Sequence, residues 1–179
     1  MGEPDALRLI AENSAVNEQL EPPSDTRLDQ LVKGVGQVCI SACMLEWSLT
    51  YLTGLIENWD DTKLREVLGH PGEPLRRYRA LVPKLEAFGL GPNARQLADD
   101  AGRLLDVRNR VVHSVMMIET KTTNEPLYEA WHARSDTIWP VDPVALNTLA
   151  RDLAQCAAEV SGFTHAWEER AERDGWPIL

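Results

Sequence analysis

Apolar residues recur at Leu28, Leu31, Val35, Val38, Ala42, Leu45, Leu49, Leu52 and Ile56, in steps of three and four. This spacing lines one face of a helix, so the segment predicts a long bundle helix rather than a strand. Ser24 or Asp25 stands where its cap should be. Gly34 and Gly36 each weaken the helix by about 1 kcal/mol, which points to a close helix contact or a bend. A polar break follows at residues 58–62, then a short helix at about 63–68 that Gly69-His70-Pro71-Gly72 ends. Glu73-Pro74 is a helix start. Leu75, Leu81, Leu85 and Phe88 give that helix a loose seam, and Pro83 is expected to bend or interrupt it.

After a turn at residues 89–93, a further helix is predicted over about 93–113. Its seam is Leu97, Ala101, Leu104 or Leu105, position 108, Val111 and Val115. Position 108 is an arginine. A lone charge buried there would be costly, so Arg108 needs an acidic partner, a cleft, or both. The pattern then changes. Val115-Met116-Met117-Ile118 is apolar, residues 121–126 are polar, and residues 127–134 partly alternate, which predicts a β-hairpin. Ile138-Trp139 adds a short extended piece. Asp142-Pro143 then starts a last helix, with a seam at Leu146, Leu149, Leu153, Cys156, Val160, Phe163 and Trp167 that Gly175 and Pro177 close. The expected fold is mainly α: an antiparallel bundle of four main helices, with a short β-hairpin inserted before the last helix.

Length and composition narrow the class. The 179 residues suit one domain, expected over 26–179, and residues 1–25 read as an acidic, poorly ordered N-terminal tail broken by Pro22-Pro23. No apolar run approaches the ~18–20 residues a membrane span needs, and no secretory pattern opens the chain. Cys39, Cys43 and Cys156 have no histidine at a zinc-like spacing and read as buried, reduced thiols, from which a cytoplasmic location and no membrane partner are expected. The net charge of −10 argues against broad, nonspecific nucleic-acid binding. Yet residues 63–110 carry ten bases and six acids, so the basic part of the chain leads into Arg108.

Common catalytic signatures are missing. The sequence has no phosphate-binding loop, dinucleotide fingerprint, nucleophile elbow or helical histidine pair for zinc, so no cofactor and no metal are expected. His70, His132 and His165 read as surface or packing residues. His113 differs because Asn109 lies four residues before it on the same helix face, with Arg108 about 140° around the helix. A near-neutral imidazole can move a proton to or from a ribose oxygen. A guanidinium can hold the phosphate, and Asn109 can orient either group. One histidine and one arginine supply only part of what metal-free RNA cleavage needs. Glu46, at the border of the first seam, reads either as a solvated acid or as an inward acid that holds a cation. Arg76, Arg77 and Arg79 surround Tyr78, a cluster that can grip phosphate and stack a base or simply form a solvated face.

Arg108-Asn109-Arg110-Val111-Val112-His113 resembles the signature of the HEPN superfamily of helical-bundle domains: an arginine, four to six residues, then a histidine, often with asparagine after the arginine. The resemblance covers the motif and the order of helices, and the hairpin is outside it. It implies a metal-independent endoribonuclease of a toxin–antitoxin, stress or phage-defence kind, leaving 2′,3′-cyclic phosphate ends. It also implies a homodimer in which two motifs face one cleft. Arg108 and His113 would be the catalytic pair, Asn109 their support, Glu46 the facing acid of the first helix, and RNA the substrate, with Arg110, Arg76, Arg77, Arg79 and Tyr78 as further RNA contacts. An antitoxin or other regulatory protein is a further expected partner. The alternative within the same superfamily is a non-catalytic module that binds RNA, a nucleotide or a protein.

Overall fold

The computed structural model describes residues 26–89, 91–119, 127–132 and 136–174. The expected tail at 1–25, the polar loop at 121–126 and the closing Gly175 and Pro177 lie outside these residues. The protein is mainly α. Helix α1 spans Thr26–Glu57, α2 Asp61–Leu68, α3 Glu73–Ala87, α4 Gly91–Val112 and α5 Pro143–Asp174. Between α4 and α5 lie strands β1 (Val115–Glu119), β2 (Leu127–His132) and β3 (Thr137–Pro140). They pair antiparallel in the order β1-β2-β3, with Met117 opposite Glu129 and Ala130 opposite Trp139. The extended piece at Ile138-Trp139 is therefore a strand of the same sheet.

Local chemistry explains most boundaries. Asn58 takes a left-handed conformation, φ 59°, and ends α1. Asp60 caps α2 by accepting from the Lys63 amide at 2.8 Å. Gly72, φ 79°, turns the chain into α3 with Pro74 in its first turn. Asp142 accepts from the Val144 amide at 3.1 Å and opens α5. Of the two expected effects of Pro83, interruption does not occur: α3 continues to Ala87. The proline is on the exposed side while Leu81, Val82 and Leu85 are buried, so packing holds the helix through it.

The core forms where the seams meet. Leu31, Val38, Leu45, Leu49 and Leu52 of α1 pack with Tyr78, Leu81 and Leu85 of α3, with Leu97, Ala101 and Leu104 of α4, and with Leu153, Cys156 and Val160 of α5. Thr50 and Thr53 are fully buried, and their hydroxyls donate to the Glu46 and Leu49 carbonyls at 2.7 Å each. The helix directions differ from the expected antiparallel order. A Cβ on Gly34 would lie 3.0 Å from Leu146, near the start of both α1 and α5. Farther along, Trp47 and Tyr51 share a groove with Thr164 and Glu168. Helices α1 and α5 therefore run side by side in the same direction. Helix α4 runs against both, since the Phe88 carbonyl just before it accepts from Arg170 near the end of α5, while Val107 and Val111 near its end share a cavity with Leu146 and Leu149 near the start of α5. The physical reason is the route of the chain: α2 and α3 occupy the end where α1 finishes, and the sheet turns the chain at the opposite end.

Helix α1 also corrects the reading of its hydropathy. Residues Arg27–Glu57 are long and apolar enough, by length and composition, to cross a membrane, and an 18-residue window within them has a mean hydropathy of 1.3. Scattered serine, threonine and glycine break the continuous run without making the segment polar. In the fold 44% of that window is buried. The cysteines correct a second expectation: Cys156 is buried, but Cys39 is only partly covered and Cys43 is exposed. Both lie off the face that carries Val38, Ala42 and Leu45. Burial, with Glu159 and Asp100 nearby, pushes the Cys156 thiol up to about 12.

Candidate functional site at the end of helix α4

The last turns of α4 carry Arg108, Asn109 and Arg110, and the helix ends at Val112. His113 follows directly, its amide donating to the Asn109 carbonyl at 3.0 Å. The Ser114 hydroxyl donates to the Arg110 carbonyl and closes the last turn. The side chains then diverge with the helical twist. Val107 and Val111 turn towards an apolar cavity of about 220 Å³, shared with Val35, Ala130, Leu146 and Leu149. Asn109, Arg110 and His113 face solvent.

Arg108 turns towards α1. Its Nη2 donates to Glu46 Oε1 at 2.6 Å, and the two side chains are 20% and 22% exposed. The acidic partner that the seam position demands is therefore Glu46, 62 residues away in sequence. Among the described residues Arg108 Nε is buried without a hydrogen-bond partner. Such an orphan donor costs about 1–3 kcal/mol. The pair is thus partly open: its charge is neutralised, its guanidinium is fixed in direction, and about a fifth of each side chain is reachable from outside.

The basic cluster on α3 is arranged differently from the expectation. Tyr78 is fully buried, and its hydroxyl donates to the Ala94 carbonyl at 3.4 Å. Burial raises its phenol well above the usual range. It is a core residue and cannot stack a base; its place in the α3 seam, three residues before Leu81, was the signal for this. Arg76 Nε donates to Glu73 Oε2 at 2.7 Å and Arg77 Nε to Glu73 Oε1 at 2.7 Å. The two arginines hold the Glu73 carboxyl down at about 2. Arg77 also lies over the Trp59 ring at 5.8 Å. Arg79 is exposed, but its guanidinium lies across Gly102 of α4, where any Cβ would run into it. The cluster therefore ties α3 to its surroundings, with Arg76 and Arg79 exposed and Arg77 partly so.

Among the described residues no group of three or more histidine, cysteine or acidic side chains could hold a metal ion. His70 and His165 are exposed, and His165 Nδ1 lies 3.4 Å from Glu168. One surface escaped the sequence reading. Trp47 and Tyr51 stack on the outside of α1 with centroids 6.3 Å apart, next to exposed Met44 and Ile40. Comparison with protein-family models, with curated proteins and with solved structures found no match for this chain.

Proposed function

We propose that this protein is a HEPN-like, metal-independent endoribonuclease acting in a cytoplasmic toxin, stress or phage-defence role. The observation that supports it is Arg108, held by Glu46 at 2.6 Å in the α1–α4 interface and one-fifth exposed, with His113 free at the end of the same helix. In this reading Arg108 binds the scissile phosphate and stabilises the charge that builds on it. His113 takes the proton from the 2′-hydroxyl, or gives one to the leaving 5′-oxygen. Asn109, on the His113 face, orients the ligand, and Arg110 adds a phosphate contact. A second copy of the chain supplies the second acid or base, so the active species is a homodimer. The products are a 2′,3′-cyclic phosphate and a free 5′-hydroxyl.

The test is cleavage of a mixed-sequence RNA in the presence of a chelator, with the ends identified by mass. Wild type is expected to cut, and His113→Ala and Arg108→Ala each to lose at least about a hundredfold in rate. Equal cleavage by all three proteins refutes the reading.

A second reading is favoured by one feature, the occupation of Arg108 by Glu46. There the domain is a non-catalytic HEPN-like module for RNA, a nucleotide or a regulatory protein such as an antitoxin, and the pair is structural. It predicts RNA retention without cleavage between about pH 5 and 8, the range in which an ordinary histidine titrates.

A further inference from the structure

Helices α1 and α5 run side by side, and on their outer surface they leave a groove of about 260 Å³, near the ~300 Å³ lower end of ligand pockets. One wall is aromatic. Trp47 and Tyr51, one turn apart on α1, lie with ring planes 14° from parallel and are 52% and 41% exposed. The other wall is polar. Ser161, Thr164 and Glu168 follow one another on α5 in steps of three and four, so they share a face. The hydroxyls of Ser161 and Thr164 donate to the Ala157 and Val160 carbonyls at 3.0 and 3.2 Å. That of Ser48, beside Trp47, donates to the Met44 carbonyl at 3.0 Å. Each hydrogen is committed to its own helix, so these hydroxyls offer a ligand only lone pairs, as an ionised carboxylate at Glu168 does. Among the described residues, no lysine or arginine lines the groove.

We propose that this groove binds a small organic ammonium compound, a protonated or quaternary amine on an apolar body. A cation over an aromatic face is attracted by the ring quadrupole, and tryptophan is the strongest of the rings that do this. The two nearly parallel rings cover the apolar body, while Glu168, 32% exposed, supplies the opposite charge. The N–H groups of a protonated amine find acceptors in the hydroxyl oxygens. An anion is repelled by Glu168, and a neutral ligand gains the rings but leaves the carboxylate unmatched. The whole chain, at a net charge of −10, raises the local concentration of small cations. Among the lining residues His165 is the competitor, with Nδ1 3.4 Å from Glu168 Oε2. Its side chain is 77% exposed, and an ion pair in that setting is worth little, so the ligand can displace it. Neither Arg108 nor His113 takes part, so the site stands whether or not the chain cuts RNA.

The test is proton–nitrogen NMR of the full chain at about pH 8, where an ordinary imidazole is neutral. The signal followed is the indole N–H of Trp47, assigned by its absence in Trp47→Phe. Benzyltrimethylammonium and benzylammonium chloride are expected to move it saturably, with dissociation constants on the order of 1 mM or below. Benzyl alcohol and benzoate keep the ring without the positive charge and should bind at least about tenfold more weakly. Glu168→Gln and Tyr51→Ala should each raise the constant for benzyltrimethylammonium about threefold or more, whereas Tyr51→Phe, which keeps the ring, should stay within about twofold of wild type. None of these side chains is buried, so the helical circular-dichroism signal should be unchanged in all three variants. Equal binding of benzyl alcohol, no saturable shift with either cation up to about 10 mM, or a constant unchanged in both Glu168→Gln and Tyr51→Ala overturns the proposal. So does binding of Nα-acetyl-lysine amide at least about tenfold more tightly than benzylammonium, which assigns the groove to a lysine side chain of another protein. His113→Ala should bind the cations as wild type does whatever its activity, so loss of cleavage and loss of this site are read separately.

Discussion

A charged residue on a hydrophobic seam must be satisfied, and at position 108 the satisfaction comes from one carboxylate. The pair is about one-fifth exposed on each side, so it is worth less than a fully buried ion pair and more than a surface one. Arg108→Ala should lower stability by about 2 kcal/mol, because Glu46 is left facing a partly dry interface. For a chain of this size that is roughly a 6 °C fall in melting temperature. His113→Ala, at an exposed position past the helix end, should move it by less than about 1 °C. Thermal melts of the two variants separate the residue that the fold needs from the residue that only chemistry would need. Equal shifts would show that the Glu46 contact contributes nothing.

At the scale of one element, α3 shows how the same residue types end in different roles. Arg76 and Arg77 converge on Glu73 in the first turn, where a negative charge also suits the helix dipole. The carboxyl is depressed from 4.5 to about 2, first by the hydrogen bond from Arg76 and then by that from Arg77. A group whose folded value is lowered stabilises above its unfolded value and loses that contribution as pH falls through the folded one. The start of α3 should therefore weaken as pH drops from about 4.5 towards about 2. Urea midpoints measured at pH 6 and pH 3 should draw closer together in Glu73→Gln than in wild type. The same separation in both proteins would place the acid sensitivity elsewhere. Tyr78, directly after these arginines in sequence, belongs to the core because helical rotation carries it about 100° away from Arg77.

Across the whole molecule, the decisive contact is between the first and last helices. Gly34 lets α5 approach until Leu146 lies against the α1 backbone. Gly34→Leu should force the helices apart and cost about 1–3 kcal/mol, as overpacked cores do. Gly36→Leu, facing open space, should leave the monomer as stable as wild type or slightly more so. Chemical denaturation of both variants at a concentration below dimer formation tests the contrast. Equal destabilisation would mean that the α1–α5 approach is not set at Gly34. The two glycines, two residues apart, read alike along the chain and part only in space.

The helical nature of the chain, most helix starts and the demand of Arg108 for a partner were legible from local pattern, because periodicity, caps and prolines act over one or two turns. Local rules also identified Glu46 as one of few acids bordering the α1 seam. They could not show that it reaches Arg108, because that contact closes a loop of 62 residues. Nor could they show that α1 and α5 run in the same direction, that Pro83 is carried within its helix, or that Tyr78 is buried. Each of these depends on which neighbour covers which face. The exposed apolar residues of α1, Val32, Ile40, Met44, Trp47 and Tyr51, escaped that reading, since only the packed fold decides which apolar positions become core. The residues of the Arg108–His113 stretch were thus set by sequence. Their environments, Arg108 turned inward against Glu46 and His113 left in solvent, were decided by tertiary structure, because burial is a property of neighbours brought together from distant parts of the chain.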